Sequence, residues 1–166
     1  MPTVIQAIIP NAALDAVLQN FGGLSGPPAI LIDSFKVGEG GYEITPSGNV
    51  PRDPSDPGSL NTRGPYLTDL DALQNPSDYP TATGTFSKAL ATPADFNFDV
   101  PTRSLEVTCL LDFGEFNDDG FGNAPEIYEI GLFAGTLLVA YGTMTKQVKT
   151  LGVQIPNVVR ITATGT

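Results

Sequence analysis

The stretch YEIGLFAGTLLVAYG, Tyr128 to Gly142, holds two apolar runs separated by Gly135-Thr136. Neither run approaches the roughly 18 apolar residues that a membrane-spanning helix needs. A small-residue break between two such runs is the pattern of a hairpin. EIYEIGLF and LLVAYGTM therefore read as two strands joined across Ala134-Gly135-Thr136, with Ile130 and Leu132 on one side of the first. That reading makes the stretch a core hairpin and the chain a β-rich domain.

The neighbouring segments extend the pattern. In SLEVTCLLDF, Leu105, Val107, Cys109, Leu111 and Phe113 alternate with Glu106, Thr108 and Asp112, the period-two signal of a half-buried strand. VQIPNVVRITAT supplies a last strand, with Val159, Ile161 and Ala163 on one face. Upstream, NAALDAVLQNFGG predicts the one clear helix: Asn11 as its cap, Leu14, Val17 and Leu18 as its apolar stripe, Gly22-Gly23 as its stop. An extended segment over Ala29–Val37 follows and ends at Gly38, Gly40 and Gly41.

From Thr45 to Tyr66 the character changes. Five prolines and three glycines remove donors and periodicity, which predicts an irregular excursion. Too little sequence precedes it for it to be a linker between domains, so it reads as a partner-contacting loop, with Pro46, Pro51, Pro54, Pro57 and Tyr66 as interface candidates. Residues 67–100 read as an irregular insertion, with a short helix around Leu70–Gln74 and a strand near Thr81–Phe86. The expected fold is α+β, mainly β: a short N-terminal helix on an antiparallel sheet or sandwich, with a long Pro/Gly-rich loop inserted, all in one domain over residues 1–166.

Composition excludes several function classes. The net charge of −10 disfavours nucleic acid and anionic membrane surfaces as partners. Residues 131–166 carry +3 from Lys146, Lys149 and Arg160, leaving −13 on residues 1–130. This asymmetry reads either as a solvated acidic face or as a basic end that docks on a neighbouring copy. Histidine is absent, which removes Ser-His-Asp and Cys-His nucleophile systems and His-ligated zinc. Cys109 is the single cysteine and sits on an apolar strand face, so it reads as core. The start of the chain has no basic region ahead of its apolar run, so a soluble protein made in a cytoplasm is expected.

Few constellations carry chemistry. In EFNDDGFGNAPE, Glu115, Asn117, Asp119 and Glu126 match the ligand spacing of an EF-hand calcium loop, with Gly120 at the turn position. Against it, position one is Glu, Pro125 precedes the last ligand, and the flanks read as strands. Glu126 and Glu129 fail as paired glycosidase carboxylates, because residues three apart on a strand point to opposite faces. The glycines of GEGG (Gly38–Gly41) lack the Lys-Ser/Thr of a phosphate loop and read as a turn. Tyr128 and Tyr141 read as packing or interface aromatics across the hairpin. No cofactor is expected.

Two segments carry a family resemblance. IDSFKVGEGGY, Ile32 to Tyr42, resembles the helix-led strand I-x-x-F-x-V-G-D-G-G of bacteriophage tail-collar fibre proteins and the N-terminal part of P2-like tail fibres, with Glu39 in place of the aspartate. YEIGLFAGTLLVAYG resembles that family's hairpin E-I-G-L-F-D-x-D-G-T-L-I-A-V-G, through Glu129 to Phe133 and Gly135 to Leu137. The chain departs at the tip, which is shorter and carries Ala134 where the family has acids. The order of the two motifs extends the likeness over most of residues 10–165; the proline-rich insertion and residues 67–100 lie outside it.

The resemblance implies a structural virion protein of a contractile tail. Such domains join fibres to the baseplate, commonly as trimers. The implied partners are the chain itself as a homotrimer and baseplate and tail-fibre proteins, with no nucleic acid and no membrane insertion. Because the chain ends soon after the attachment-like region, a short baseplate or fibre adaptor is expected, in a phage or a phage-like injection machine. The alternative is a carbohydrate-binding β-module at the host surface, which the absence of tryptophan disfavours. A hydrolase lacks any selected acid pair.

Overall fold

A computed structural model describes residues 2–21, 30–38, 42–51, 87–91, 93–117 and 124–163. Over these the protein is mainly β, with one short helix, two four-stranded sheets and a separate two-stranded hairpin. The first sheet has β1 (Thr3–Gln6), β10 (Ile155–Thr162), β7 (Ser104–Leu111) and β6 (Phe96–Asp99) in that order across it. The second has β5 (Ser87–Ala89), β2 (Ser34–Gly38), β8 (Glu126–Ala134) and β9 (Leu137–Val148). β3 (Tyr42–Thr45) and β4 (Gly48–Pro51) form the hairpin.

Period-two alternation decides what these strands bury. Val107, Cys109 and Leu111 of β7 are within 1% of full burial and meet Ile5 and Val159 from the same sheet. Phe35 and Val37 of β2 and Ile127, Ile130 and Leu132 of β8 complete one apolar cluster drawn from both sheets. Each such side chain contributes about 1.5–3 kcal/mol through burial. β8 lies between β2 and β9 and is buried from Ile127 to Phe133, which explains why the opening stretch is so apolar.

The sheets are not purely antiparallel. β1 runs parallel to β10, Ile5 opposite Val159. The chain then leaves the first sheet for the second: the Ala7 amide donates to Arg160 O, and Ile8 exchanges two 2.9 Å hydrogen bonds with Tyr141 on β9. Gly142 permits the crossing, because a Cβ there would stand 2.6 Å from Ile5 Cγ2 and 3.3 Å from Gln6 O.

Several expectations need correction. The helix α1 (Asn11–Phe21) takes its first backbone bonds on Pro10 O, from the amides of Ala13 (3.0 Å) and Leu14 (3.1 Å), so Asn11 is its first residue and not its cap. It packs on β9 and fully buries Ala13, while Leu14 and Leu18 are 43% and 66% exposed. The small residue sets the close approach, and the leucine stripe faces outward. Phe113 is exposed because β7 ends at Leu111 and the next residues turn. The first long strand begins at Ser34.

Residues 45–51 are not irregular. Pro46-Ser47 is a two-residue turn between Thr45 and Gly48; proline presets φ for its first position, and Gly48 takes φ +114°. Pro51 closes β4 opposite Tyr42. In the described part of 67–100, residues 87–91 and 93–100, the strands β5 and β6 stand where an irregular run was expected. Pro54, Pro57, Tyr66 and Asp119, the helix at Leu70–Gln74 and the strand at Thr81–Phe86 lie outside the described residues.

Candidate functional site

The two resembling segments, far apart in sequence, are neighbouring strands. β2 pairs antiparallel with β8, with Ser34 opposite Phe133, Phe35 opposite Leu132, Val37 opposite Ile130 and Gly38 opposite Glu129. Glu129 is fully buried and accepts a 2.7 Å hydrogen bond from the Tyr141 hydroxyl, itself fully buried. The glutamate side chain occupies the space that Gly38 leaves: a Cβ there would be 2.4 Å from its Oε1 and 3.0 Å from its Cγ. Gly38 does not have a positive φ, so its requirement is space and not backbone freedom.

At the other end of this strand pair, Asp33 holds the hairpin tip. Its Oδ2 accepts from the Gly135 amide at 2.9 Å and its Oδ1 from the Ser34 hydroxyl at 2.7 Å. The Ser34 hydroxyl and then the Gly135 amide keep this carboxyl below the ordinary aspartate value. Gly135 has φ +58° and Thr136 does not, the II′ pattern of a two-residue turn. Lys36 lies 4.1 Å above the Phe133 ring, a cation–π contact across the strand pair.

The residues of the calcium-loop match do not converge. Glu115 Oε2 accepts from Lys88 Nζ at 2.7 Å and from the Asp112 amide at 2.9 Å. Burial pushes this carboxyl up, but the amide and the ammonium outweigh it and hold it below the usual glutamate value. Asn117 Oδ1 accepts from Lys149 Nζ at 2.6 Å, and its amide donates to Phe113 O. Glu126 turns instead to Lys146, at 2.9 Å, and to the Tyr128 hydroxyl. Three of the four proposed ligands therefore already receive ammonium groups, Glu115 from Lys88, Asn117 from Lys149 and Glu126 from Lys146. Among the described residues no group of three or more His, Cys, Asp or Glu is arranged to hold a metal.

The basic C-terminal residues are engaged within the chain. Lys146 pairs with Glu126, and Arg160 places Nε 3.0 Å from Glu106 Oε1 with Nη2 on the same oxygen. Lys149 is fully buried, and burial pulls its ammonium below the ordinary lysine range against the pull of Glu115 and Asp112. All three have acceptors within the chain, and the Lys146 and Arg160 side chains remain 48% and 40% exposed. Lys88 also donates to Leu110 O at 2.9 Å, so it ties an edge of the second sheet to β7 of the first.

One cluster was not legible beforehand. Tyr42 and Tyr128 have ring centroids 4.6 Å apart. The Tyr128 hydroxyl accepts from the Asn49 amide and donates to Glu126, which in turn meets Lys146. Five side chains from β3, β4, β8 and β9 thus form an amide–phenol–carboxylate–ammonium chain beside an aromatic pair. Tyr128 was visible as an aromatic, but nothing in sequence linked it to Tyr42. Tyr141 lies opposite Gly131, and Tyr128 falls where the β8–β9 register shifts, so the two tyrosines are not a facing pair.

Cys109 is fully buried and its thiol is pushed far up, first by burial and then by Asp95, which leaves it inert as a nucleophile. No described helix is long and apolar enough to cross a membrane. Compared with protein-family models, curated proteins and solved structures, the chain matches none.

Proposed function

We propose that this chain is a structural virion protein of a phage or phage-like contractile tail, a short non-enzymatic adaptor that self-associates as a trimer and links fibre to baseplate. In this reading residues 1–166 are one attachment domain, the two sheets form a sandwich, and the proline-rich segment reaches a partner through the β3–β4 hairpin, with Pro46 and Pro51, and through Pro54, Pro57 and Tyr66 beyond it in sequence. The observation that carries it is the strand pairing of the two resembling segments, with Glu129 seated against Gly38. Both residues belong to the resembling motifs, and their contact gives those motifs a joint physical role.

Light scattering of the purified protein at tens of micromolar tests self-association. A trimer is expected, because obligate interfaces of about 2,000 Å² or more are stable at such concentrations. A monomer that also fails to bind purified tail particles would sink the proposal.

A second reading is favoured by the Tyr42–Tyr128 cluster. The half-buried Tyr42 ring, packed on the buried Tyr128 and flanked by Asn49, Glu126 and Lys146, offers the stacking surface, acceptor and donors that saccharide hydroxyls use. A selective hit on a glycan array, lost in Tyr42→Ala, would move the assignment to a host-surface carbohydrate module.

A further inference from the structure

Among the described residues, the edge of the first sheet at β6 is open. Among the described residues β6 pairs with β7 alone. The Thr108 amide donates to Asp95 O at 2.8 Å, and alternation in an antiparallel ladder then turns Asn97 and Asp99 toward β7. The N–H and C=O of Phe98 consequently face the open side. An unpaired donor and acceptor on one strand residue specify the geometry of an added strand.

The side chains specify more. Phe96 stands opposite Val107, which stands opposite Val159 and, across the sheet, Ile5; this row is closed into the core. One step outward, Phe98 stands opposite Leu105, which stands opposite Ile161. Leu105 and Ile161 are partly buried, while Phe98 is 63% exposed and Val100, just beyond it, 70%. The apolar face of the sheet therefore continues past the residues that cover it, and its uncovered end coincides with the open edge.

The other face of β6 is acidic. Asp95, Asn97 and Asp99 alternate with the two phenylalanines, and Glu106 lies opposite Asn97. Arg160 balances Glu106, and Arg103 stands at the hairpin tip. Self-pairing of two β6 edges would bring these aspartates together in a chain already at −10, which like-charge repulsion opposes.

We propose that the β6 edge docks an extended strand of a different polypeptide, one that alternates apolar residues with lysine or arginine. Its backbone bonds Phe98, its apolar side chains cover Phe98 and Val100, and its cations face Asp95 and Asp99. The assignment does not depend on the chain being a virion protein.

The test titrates nitrogen-15-labelled full-length protein with a capped Lys-Val-Lys-Val-Lys-Val peptide and, separately, its Glu-Val counterpart. The basic peptide should shift the Phe98 amide resonance and slow its solvent exchange by about tenfold or more. Added salt should weaken this, and the acidic peptide should leave the amide unchanged. Phe98→Pro, at a position whose N–H faces outward, should fold, and the shifts that the basic peptide induces in the neighbouring Asp99 and Val100 amides should be lost. If its melting shows that it does not fold, Phe98→Lys removes the apolar contact, repels the probe and must show the same loss. An unmoved Phe98 amide at millimolar basic peptide, or equal binding of both peptides, overturns the proposal. So does self-association that Phe98→Lys dissolves, since that would give the edge to a second copy.

Discussion

Replacing Gly38 with alanine puts a Cβ 2.4 Å from Oε1 of Glu129, 3.0 Å from its Cγ and 3.1 Å from its Cδ. Rotating the carboxylate alone would relieve only part of the clash, because Cγ is tight as well. Glu129 is fully buried, so its side chain cannot swing into solvent. The strand or the glutamate must shift, and overpacking of this kind costs about 1–3 kcal/mol. If the glutamate shifts, the buried Tyr141 hydroxyl loses its 2.7 Å acceptor, and a buried hydroxyl left unpaired costs about 1–3 kcal/mol more. Lower chain entropy in the unfolded state returns about 0.4–1 kcal/mol. The expected net loss is about 2–4 kcal/mol.

Glu129→Ala should cost a similar amount, about 2–4 kcal/mol, through the cavity and the stranded Tyr141 hydroxyl. The decisive quantity is the coupling. In Gly38→Ala/Glu129→Ala the new methyl enters space the glutamate has vacated, so the double variant should be less destabilised than the sum by about 1–3 kcal/mol. Urea unfolding at one fixed protein concentration, followed by circular dichroism and tyrosine fluorescence, reads all four proteins; the chain has no tryptophan and five tyrosines. Additive costs within about 0.5 kcal/mol would refute the argument that glycine at 38 exists to admit Glu129.

Other consequences are direct. Gly142→Ala places a Cβ 2.6 Å from Ile5 Cγ2 and should cost about 1–3 kcal/mol, and a double variant with Ile5→Ala should lose less than the sum of the two single changes in the same unfolding assay. Calcium titrated into chelator-treated protein should leave the melting temperature unchanged, because Glu115 and Asn117 already accept from Lys88 and Lys149; a saturable rise would contradict that geometry. Asp33, Glu106, Asp112, Glu115 and Glu126 are all held below their ordinary values of 3.8 or 4.5. The stability they add is present above those values and is lost as pH falls through the lower folded-state ones, so melting temperature should decline below about pH 4.5 and stay level from pH 6 to 8. Lys149→Ala leaves Asn117 Oδ1 without its ammonium donor and should cost about 1–3 kcal/mol, read by thermal melting.

How much was legible in the sequence follows from the range of each interaction. Alternation is a property of consecutive residues, so β7, β8, β9 and β10 could be read directly, down to the two-residue break at Gly135-Thr136. Composition is a cruder signal. It marked residues 45–51 as irregular because of their prolines, whereas Pro46 serves a tight turn and Pro51 a strand end. The helix was placed correctly but with its outer face taken for its inner one, since leucines outrank alanine in a hydrophobic stripe and β9 approaches closely over Ala13. The lysine partners were invisible for a different reason. Lys88, Lys146 and Lys149 meet carboxylate or amide oxygens that only the strand order brings near, so no local pattern announced them.

The same distinction explains Glu129. From its own strand it could be judged only negatively, as an acid with no second acid on its side. Its positive role depends on β2, where Gly38 provides the room and the register places it directly opposite. A buried acid that accepts from a buried tyrosine and fills a neighbouring glycine's space restricts three positions at once. Any larger residue at 38 collides with it, and phenylalanine at 141 would remove its hydroxyl donor. Shortening the tip at 134–136 touches none of these contacts, because the tip is held separately by Asp33. The hairpin can therefore vary at its exposed end while the glutamate end stays fixed.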